Sequence, residues 1–128
     1  MNYEAGKETK PFEIQVDKYR PYYYAGASGD FNPIHLDDNF AKQVGLGGSI
    51  LHGLCTMAFI YRSVMENNDP AKIKKLKVRF RQMVRPLDKL IVKGRVNSIE
   101  NNLTSVELMA ENQKGERVIT SGLAIVDM

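Results

Sequence analysis

Cysteine is nearly absent from this 128-residue chain, which contains only Cys55, and tryptophan is missing altogether. A single cysteine excludes a disulfide framework and a cysteine-based metal cluster within one chain. No run of residues is apolar over the roughly 20 positions that a membrane-spanning helix needs. Residues 1–9 also lack the apolar stretch of a signal peptide. We therefore expect a cytoplasmic protein without membrane association.

Neither sign of charge dominates, since 18 Lys and Arg residues against 15 Asp and Glu residues leave a net charge of +3. Hydrophobic residues make up 43% of the chain, as in ordinary globular proteins. The length predicts a single domain, residues 1–128, with no room for a separate cofactor domain. The cations are unevenly placed, and seven lie close together: Lys72, Lys74, Lys75, Lys77, Arg79, Arg81 and Arg85. Such a run attracts anions. A nucleic-acid partner is not favoured, because aromatic residues are not interleaved with these cations as they are on nucleic-acid surfaces.

The spacing of apolar residues predicts an α+β fold. Residues 12–16 alternate as in a strand, and Asp17 and Asp37 are candidate N-caps of two short helices, the second over residues 38–44. Residues 53–65 are apolar on nearly every side, which predicts a buried helix. Four strands follow, at residues 76–80, 90–96, 103–110 and 118–126, with hairpin signals at residues 101–102 and 112–116. We expect an antiparallel meander that curls around the helix, and an open sheet edge that favours at least a homodimer.

An acid and a base lie five residues apart in the segment Ser28-Gly29-Asp30-Phe31-Asn32-Pro33-Ile34-His35. Pro33 biases Asn32 toward an extended backbone, which predicts a stiff loop. A carboxylate and an imidazole held close together can share and polarise one water molecule. Taken alone, however, such a pair is more often a turn residue beside a surface imidazole.

The pattern of residues 24–37, with Phe40-Ala41, Gly45 and Ile50-Leu51-His52-Gly53-Leu54, resembles the MaoC-like, or hydratase 2, dehydratases. The resemblance implies a hot-dog fold, in which an antiparallel sheet wraps around a long buried central helix, in agreement with the predicted elements. It also implies a cofactor-free hydro-lyase. Its reaction is the reversible hydration of trans-2-enoyl thioesters, carried by CoA or acyl carrier protein, to (R)-3-hydroxyacyl thioesters.

The same resemblance implies a three-part catalytic site. Asp30 and His35 are the catalytic pair that binds the water, and the backbone N–H of Gly53 donates to the thioester oxygen. The first N–H groups of a helix lack internal partners, and the helix dipole favours negative charge there. A simple helix N-terminus is the alternative interpretation of Gly53.

Three more polar residues are expected to support the site: Asn32, Ser28 and His52. Asn32 braces the loop, Ser28 hydrogen-bonds it, and His52 pins the entry to the helix. Cys55 and His52 are spaced like a nucleophile and a base, but apolar neighbours favour a buried, inert thiol. The nearby aspartates are explained by a proline-stiffened loop that runs into a helix cap, so no metal is predicted.

Two alternatives stay open. One is a hot-dog acyl thioesterase, because a fold does not determine a reaction. The other is a non-catalytic dehydratase subunit that requires a partner chain, although the intact acid/base pair argues against it. The chain departs from the family at Gly48-Ser49, where many members have Arg-Pro, and at Ala58, where some have serine. The basic run has two functional interpretations, which are contact with the phosphates of CoA and docking of an acidic acyl carrier protein. Its structural interpretation is the solvated face of a strand.

Overall fold

The computed structural model describes residues 3–66 and 68–127. The strands are β1 (Phe12–Gln15), β2 (Ile73–Phe80), β3 (Lys89–Glu100), β4 (Leu103–Glu111) and β5 (Arg117–Asp127). They form a five-stranded sheet with the order β1-β3-β4-β5-β2, in which all neighbours are antiparallel. The helices are α1 (Arg20–Ser28), α2 (Pro33–Leu36), α3 (Asp38–Gln43) and α4 (Gly53–Met65), with a 3-10 turn over Pro70–Lys72.

Strand β2 does not lie beside β3, the strand that follows it along the chain. It pairs instead with β5, with Ile73 opposite Val126 and Phe80 opposite Ile119, while β1 pairs with β3 at the other edge. The predicted meander is therefore wrong for β2 and correct for β3 to β5. Alternation of apolar and polar residues determines which face of a strand is buried, but it does not specify the neighbouring strand.

The two predicted hairpin turns are confirmed. Asn101 and Asn102 join β3 to β4 with positive φ angles of 52° and 65°. A two-residue hairpin turn needs such angles, and asparagine adopts them more readily than most residues. The second turn joins β4 to β5 and has Gly115 at a φ of 76°.

Helix α4 packs against the inner face of the sheet, and its bounds agree with the prediction. Its buried residues include Phe59, which is 2% exposed, and Ile60, which is fully buried. The other side of the helix is open, because Leu54 is 66% exposed and Tyr61 is only partly buried. The expectation that α4 is buried on every side is wrong for a single chain, since one sheet covers only one side of a helix. The architecture is the expected hot-dog fold.

The segment before α4 carries the site and is fixed from two sides. The Leu51 N–H donates to the Val84 carbonyl in the β2–β3 connection (2.7 Å), and the Ile50 N–H donates to the Ile34 carbonyl in α2 (3.1 Å). These bonds bring the start of α4 next to α2. Within the described ranges, no helix has both the length and the apolar character needed to cross a membrane.

The local start of α1 differs from the prediction. Tyr19 is its N-cap residue, and the Asp17 carboxylate accepts the Tyr19 N–H at 2.7 Å rather than capping the helix itself. Pro21 lies in the first turn, where its missing N–H costs no helical hydrogen bond. Asp37 does cap α3, because its side chain accepts the Phe40 N–H at 3.1 Å.

Candidate active site

Asp30 and His35 face each other across a gap. The Asp30 Oδ2 atom lies 3.9 Å from the His35 Nε2 atom, which is too long for a direct hydrogen bond. A water molecule can bridge polar groups at such a separation. The Asp30 side chain is 53% exposed and that of His35 only 9%, so the carboxylate faces solvent while the imidazole is held inside.

The hydrogen bond on the far side of His35 determines which ring nitrogen carries the proton. The His35 Nδ1 atom lies 2.8 Å from the Ile50 carbonyl oxygen. A carbonyl oxygen can only accept, so Nδ1 is the protonated nitrogen. In the neutral ring this leaves Nε2 with a free lone pair toward Asp30. His35 is therefore arranged to accept a proton on the side where a bridging water would lie.

The loop that carries Asp30 is held by three successive local hydrogen bonds. The Ser28 Oγ accepts the Asp30 N–H (3.1 Å), the Asp30 Oδ1 accepts the Asn32 N–H (3.2 Å), and the Asn32 Oδ1 accepts the Ile34 N–H (3.2 Å). Asn32 thereby caps α2, a helical turn that the sequence did not predict, and Pro33 is its first residue. With Oδ1 of Asp30 engaged by the loop, Oδ2 is the oxygen that faces His35.

His52 connects this loop to the central helix. It is 2% exposed, and its Nε2 lies 2.9 Å from the Asp30 carbonyl oxygen, so Nε2–H donates there. Its ring stacks on His35 with centroids 3.8 Å apart, and Tyr24 lies on it at 4.7 Å. His52 Nδ1 is buried and has no hydrogen-bond partner in the described part of the chain. Within these residues His52 therefore uses only its Nε2–H for hydrogen bonding.

Gly53 is the first residue of α4 and directly follows His52. In residues 3–66 and 68–127 we find no acceptor for its backbone N–H. A Cβ atom at this position would lie 3.5 Å from the Phe80 ring, which is ordinary van der Waals contact. The N–H at the positive end of the helix dipole is therefore free to bind a ligand oxygen.

Two cavities open at these residues. One, of about 250 Å³, is lined by Gly53, Thr56, Phe80, the polar pair Arg81 and Gln82, and apolar residues of the neighbouring segments. The other, of about 380 Å³, reaches His35 and has polar walls that include Lys18 and Arg85. The first cavity borders the Gly53 N–H, while the second borders the imidazole of His35.

Arg85 has a role that its place in the basic run did not indicate. Its guanidinium donates to the carbonyl of Gly48 at 3.1 Å and to the carbonyl of Leu46. It thereby holds the glycine-rich segment between α3 and α4. No local signal predicts this contact, since 37 residues separate Arg85 from Gly48.

The same segment is also tied to α3. Asp38 accepts hydrogen bonds from the Ser49 N–H (2.8 Å) and the Ser49 hydroxyl (3.2 Å). These bonds, with the charge of Lys42, hold the pKa of the Asp38 carboxyl below its usual value. Asp38 therefore stays ionised at neutral pH and serves as an anchor of this segment, not as a proton donor.

Asp30, His35 and His52 can each offer a ligand atom within 4.8 Å of the others, so a metal site must be tested against their geometry. The two imidazoles are stacked at 3.8 Å and nearly parallel, at 24°. A metal ion binds in the plane of an imidazole about 2.0–2.1 Å from the nitrogen, and two stacked planes do not converge on one such point. The arrangement suits proton transfer better than metal binding.

Cys55 lies in the buried face of α4, and burial raises the pKa of its thiol despite the nearby charge of Arg20. A protonated thiol is a poor nucleophile. We therefore expect iodoacetamide at pH 7.5 to leave Cys55 unmodified in the folded protein and to alkylate it fully in denaturant, as measured by intact mass. Rapid alkylation of the folded protein would contradict this prediction and reopen the nucleophile hypothesis.

Known proteins resemble this chain in sequence and in fold. The family model described as MaoC like domain matches residues 3–117. The "Probable enoyl-CoA hydratase 2" of Dictyostelium discoideum is 31% identical to this chain over an alignment 140 residues long. The alignment covers 97% of this chain and 46% of that protein. The chain thus spans less than half the length of that relative.

Solved structures share the fold. The (R)-hydratase from A. caviae involved in PHA biosynthesis superposes with a TM-score of 0.83 at 22% identity, over 98% of this chain and 96% of that one. A chain of the ChsH1-ChsH2 complex from Mycobacterium tuberculosis superposes with a TM-score of 0.86 at 20% identity, over 98% of both chains. The match over residues 3–117 shows that this chain belongs to the MaoC-like domain family.

Proposed function

We propose that this chain is a hydro-lyase that reversibly hydrates trans-2-enoyl thioesters to (R)-3-hydroxyacyl thioesters without a cofactor. The observation that carries the proposal is the 3.9 Å gap between Asp30 Oδ2 and the proton-free Nε2 of His35. The names of the relatives, an enoyl-CoA hydratase 2 and an (R)-hydratase, support this reaction class. We propose that residues 1–128 act as a single MaoC-like domain.

The reacting water lies between the two side chains. His35 Nε2 accepts a proton from the water as its oxygen forms a bond to C3, and Asp30 orients the water and stabilises the imidazolium that forms. The electron pair of the carbon-carbon double bond moves toward the thioester carbonyl. The Asp30 and His35 side chains then return one proton to C2, so atoms and charge balance. Dehydration is the same sequence in reverse.

The negative charge on the thioester oxygen needs a donor, and the Gly53 N–H supplies it. This N–H has no acceptor within the described ranges and begins a 13-residue helix whose dipole favours negative charge at that end. A fixed donor aimed at developing charge is among the larger contributions to catalysis. Gly53 thus completes the site that Asp30 and His35 begin.

His52 is a positioning residue in this proposal. Its Nε2–H holds the Asp30 carbonyl, its ring supports that of His35, and it directly precedes Gly53. His52 is therefore linked to all three parts of the site, to two of them by its side chain and to Gly53 by the peptide bond.

Substitution of His52 tests this role. We expect His52→Leu to lower kcat by roughly 10- to 100-fold with little change in KM, because misplaced catalytic groups slow the chemical step. His52→Gln keeps an amide N–H that can donate to the Asp30 carbonyl and should recover part of the loss. Steady-state kinetics with crotonyl-CoA measure kcat and KM separately, and circular dichroism checks folding. Equal kcat in His52→Leu and wild type would contradict the positioning role.

The reaction itself is tested by product analysis. Wild-type protein should remove the absorbance of the conjugated double bond of crotonyl-CoA, and chiral chromatography should identify the (R)-3-hydroxybutyryl product. Release of free thiol with the double bond intact would indicate a thioesterase. Inactivity toward both CoA and carrier-protein thioesters would overturn the proposed function.

We also propose that the chain acts as at least a homodimer. Phe31, Leu54 and Phe80 are apolar, lie near the site and are 61%, 66% and 49% exposed. Exposed apolar groups of this size favour association with another protein surface. Light scattering of the purified chain tests this, and a monomer at micromolar concentration would contradict it.

A further inference from the structure

Four exposed cations lie in a row on one face of β2 and its end: Lys75, Lys77, Arg79 and Arg81, here called the basic row. We propose that the basic row docks an acidic carrier protein that presents the enoyl thioester on a phosphopantetheine arm. This inference rests on the proposed function and names the form in which the substrate arrives.

The basic row has no acidic partners in the described part of the chain. None of its members forms a salt bridge there. The residues opposite it on β5 are Ile125, Leu123 and Thr120, which carry no charge. On the next strand, Glu107 lies opposite Leu123 and accepts a hydrogen bond from the Asn97 side chain at 2.9 Å, and no salt bridge joins it to the row in the described residues. The positive potential of the row is therefore left for a partner molecule.

The basic row begins at the mouth of the candidate site. Phe80, the last residue of β2, lies close to Gly53, and Arg81 lines the same 250 Å³ cavity as Gly53. From there the row leads away along the edge strand of the sheet. A carrier bound along it would place the root of its arm near the cavity that leads to the Gly53 N–H.

The length of the row favours a protein over CoA alone. Alternate residues on a strand are about 6.6 Å apart, so the four cations span about 20 Å. Carboxylates four residues apart on a helix are about 6 Å apart, which nearly matches that spacing. An acidic helix can thus pair with several members of the row at once. The phosphates of CoA all lie on the 3'-phospho-ADP end of the molecule, so a single CoA molecule does not need a row of that length.

The experiment compares one enoyl group on three carriers: crotonyl thioesters of N-acetylcysteamine, CoA and a stand-alone bacterial acyl carrier protein. The test variant is Lys77→Glu/Arg79→Glu, which reverses the charge of the two middle residues of the row, neither of which lines the cavity. The control is Lys10→Glu, an exposed lysine just before β1 at the opposite sheet edge. Fluorescence anisotropy with labelled, uncharged carrier protein measures docking independently of turnover.

The double variant should lose roughly 10- to 100-fold in kcat/KM for the carrier-protein thioester at low salt, because reversed charges weaken encounter and binding. Turnover of the N-acetylcysteamine thioester should stay at the wild-type level, and carrier-protein binding should weaken in parallel. Added salt should reduce wild-type activity on the carrier-protein thioester more than that of the double variant. Lys10→Glu should behave as wild type throughout.

Three results would overturn the docking inference. An equal loss with CoA and carrier protein would mean that the row binds the phosphates of CoA. Unchanged kinetics and binding would mean that the cations only protect an edge strand from pairing with other strands. An equal effect of Lys10→Glu would mean that net charge alone is responsible. Absence of wild-type turnover on every thioester overturns the proposed function instead, and the anisotropy measurement still decides the docking.

Discussion

Asp30→Asn and His35→Ala are each expected to lower kcat for crotonyl-CoA hydration by about 10³-fold or more, since positioned acid/base groups contribute roughly 10²–10⁴. The first substitution keeps the size of the side chain but removes the charge that orients the water and balances a protonated imidazole. The second removes the Nε2 lone pair that faces Asp30 across 3.9 Å. The rate of loss of the conjugated enoyl absorbance at saturating and limiting substrate measures both effects.

The two substitutions should not be additive. Both residues act on the same water, so the double variant should be about as slow as the slower single variant. Asp69→Asn is the matched control, because Asp69 caps the short turn at Pro70–Lys72 with its Oδ1 and asparagine caps equally well. Full activity in either single variant, with the control intact, would disprove the assignment of the pair.

Gly53→Pro is expected to lower kcat by roughly 10²–10³-fold while the protein stays folded, because it deletes one oxyanion donor. Proline has no N–H, yet it is favoured at the first position of a helix, which is the position of Gly53. The preceding residue, His52, already has φ of −57° and ψ of 133°, a conformation that a following proline tolerates. The substitution therefore removes the donor at little cost to the backbone.

Gly53→Ala separates the donor from the side chain. Alanine keeps the N–H, and its Cβ would meet the Phe80 ring at 3.5 Å without a clash. We expect a change in kcat of a few-fold at most and a thermal unfolding midpoint close to that of wild type. If alanine and proline slow the enzyme equally, the loss comes from added bulk near Phe80, and the N–H is not the oxyanion donor.

The helices and strands could be predicted because their signals are local. The bounds of α4 follow from apolar spacing, and the turn at Asn101 and Asn102 follows from residues that accept a positive φ. The helical turn α2 was missed because four residues are too few to show a period, although Asn32-Pro33 is a typical helix start.

The contacts of the site are a different matter, because they join segments that are distant in the chain. His52 is 22 residues from the carbonyl that it holds, and Arg85 is 37 residues from Gly48. The open side of α4 likewise depends on how far one sheet can wrap around a helix. Periodicity contains no information about such distances.

The sequence by itself determined the element types, the family pattern and the acid/base pair, since each depends on residue identity over a few neighbouring positions. Only the tertiary structure decided that β2 pairs with β5, that the Ile50 carbonyl leaves His35 Nε2 free of its proton, and that His52 lies beneath His35. The physical reason is that a proton's location and a ring's neighbours depend on acceptors brought together by packing. The sequence therefore identifies the reactive groups, and the tertiary contacts determine their geometry and which nitrogen of each imidazole carries a proton.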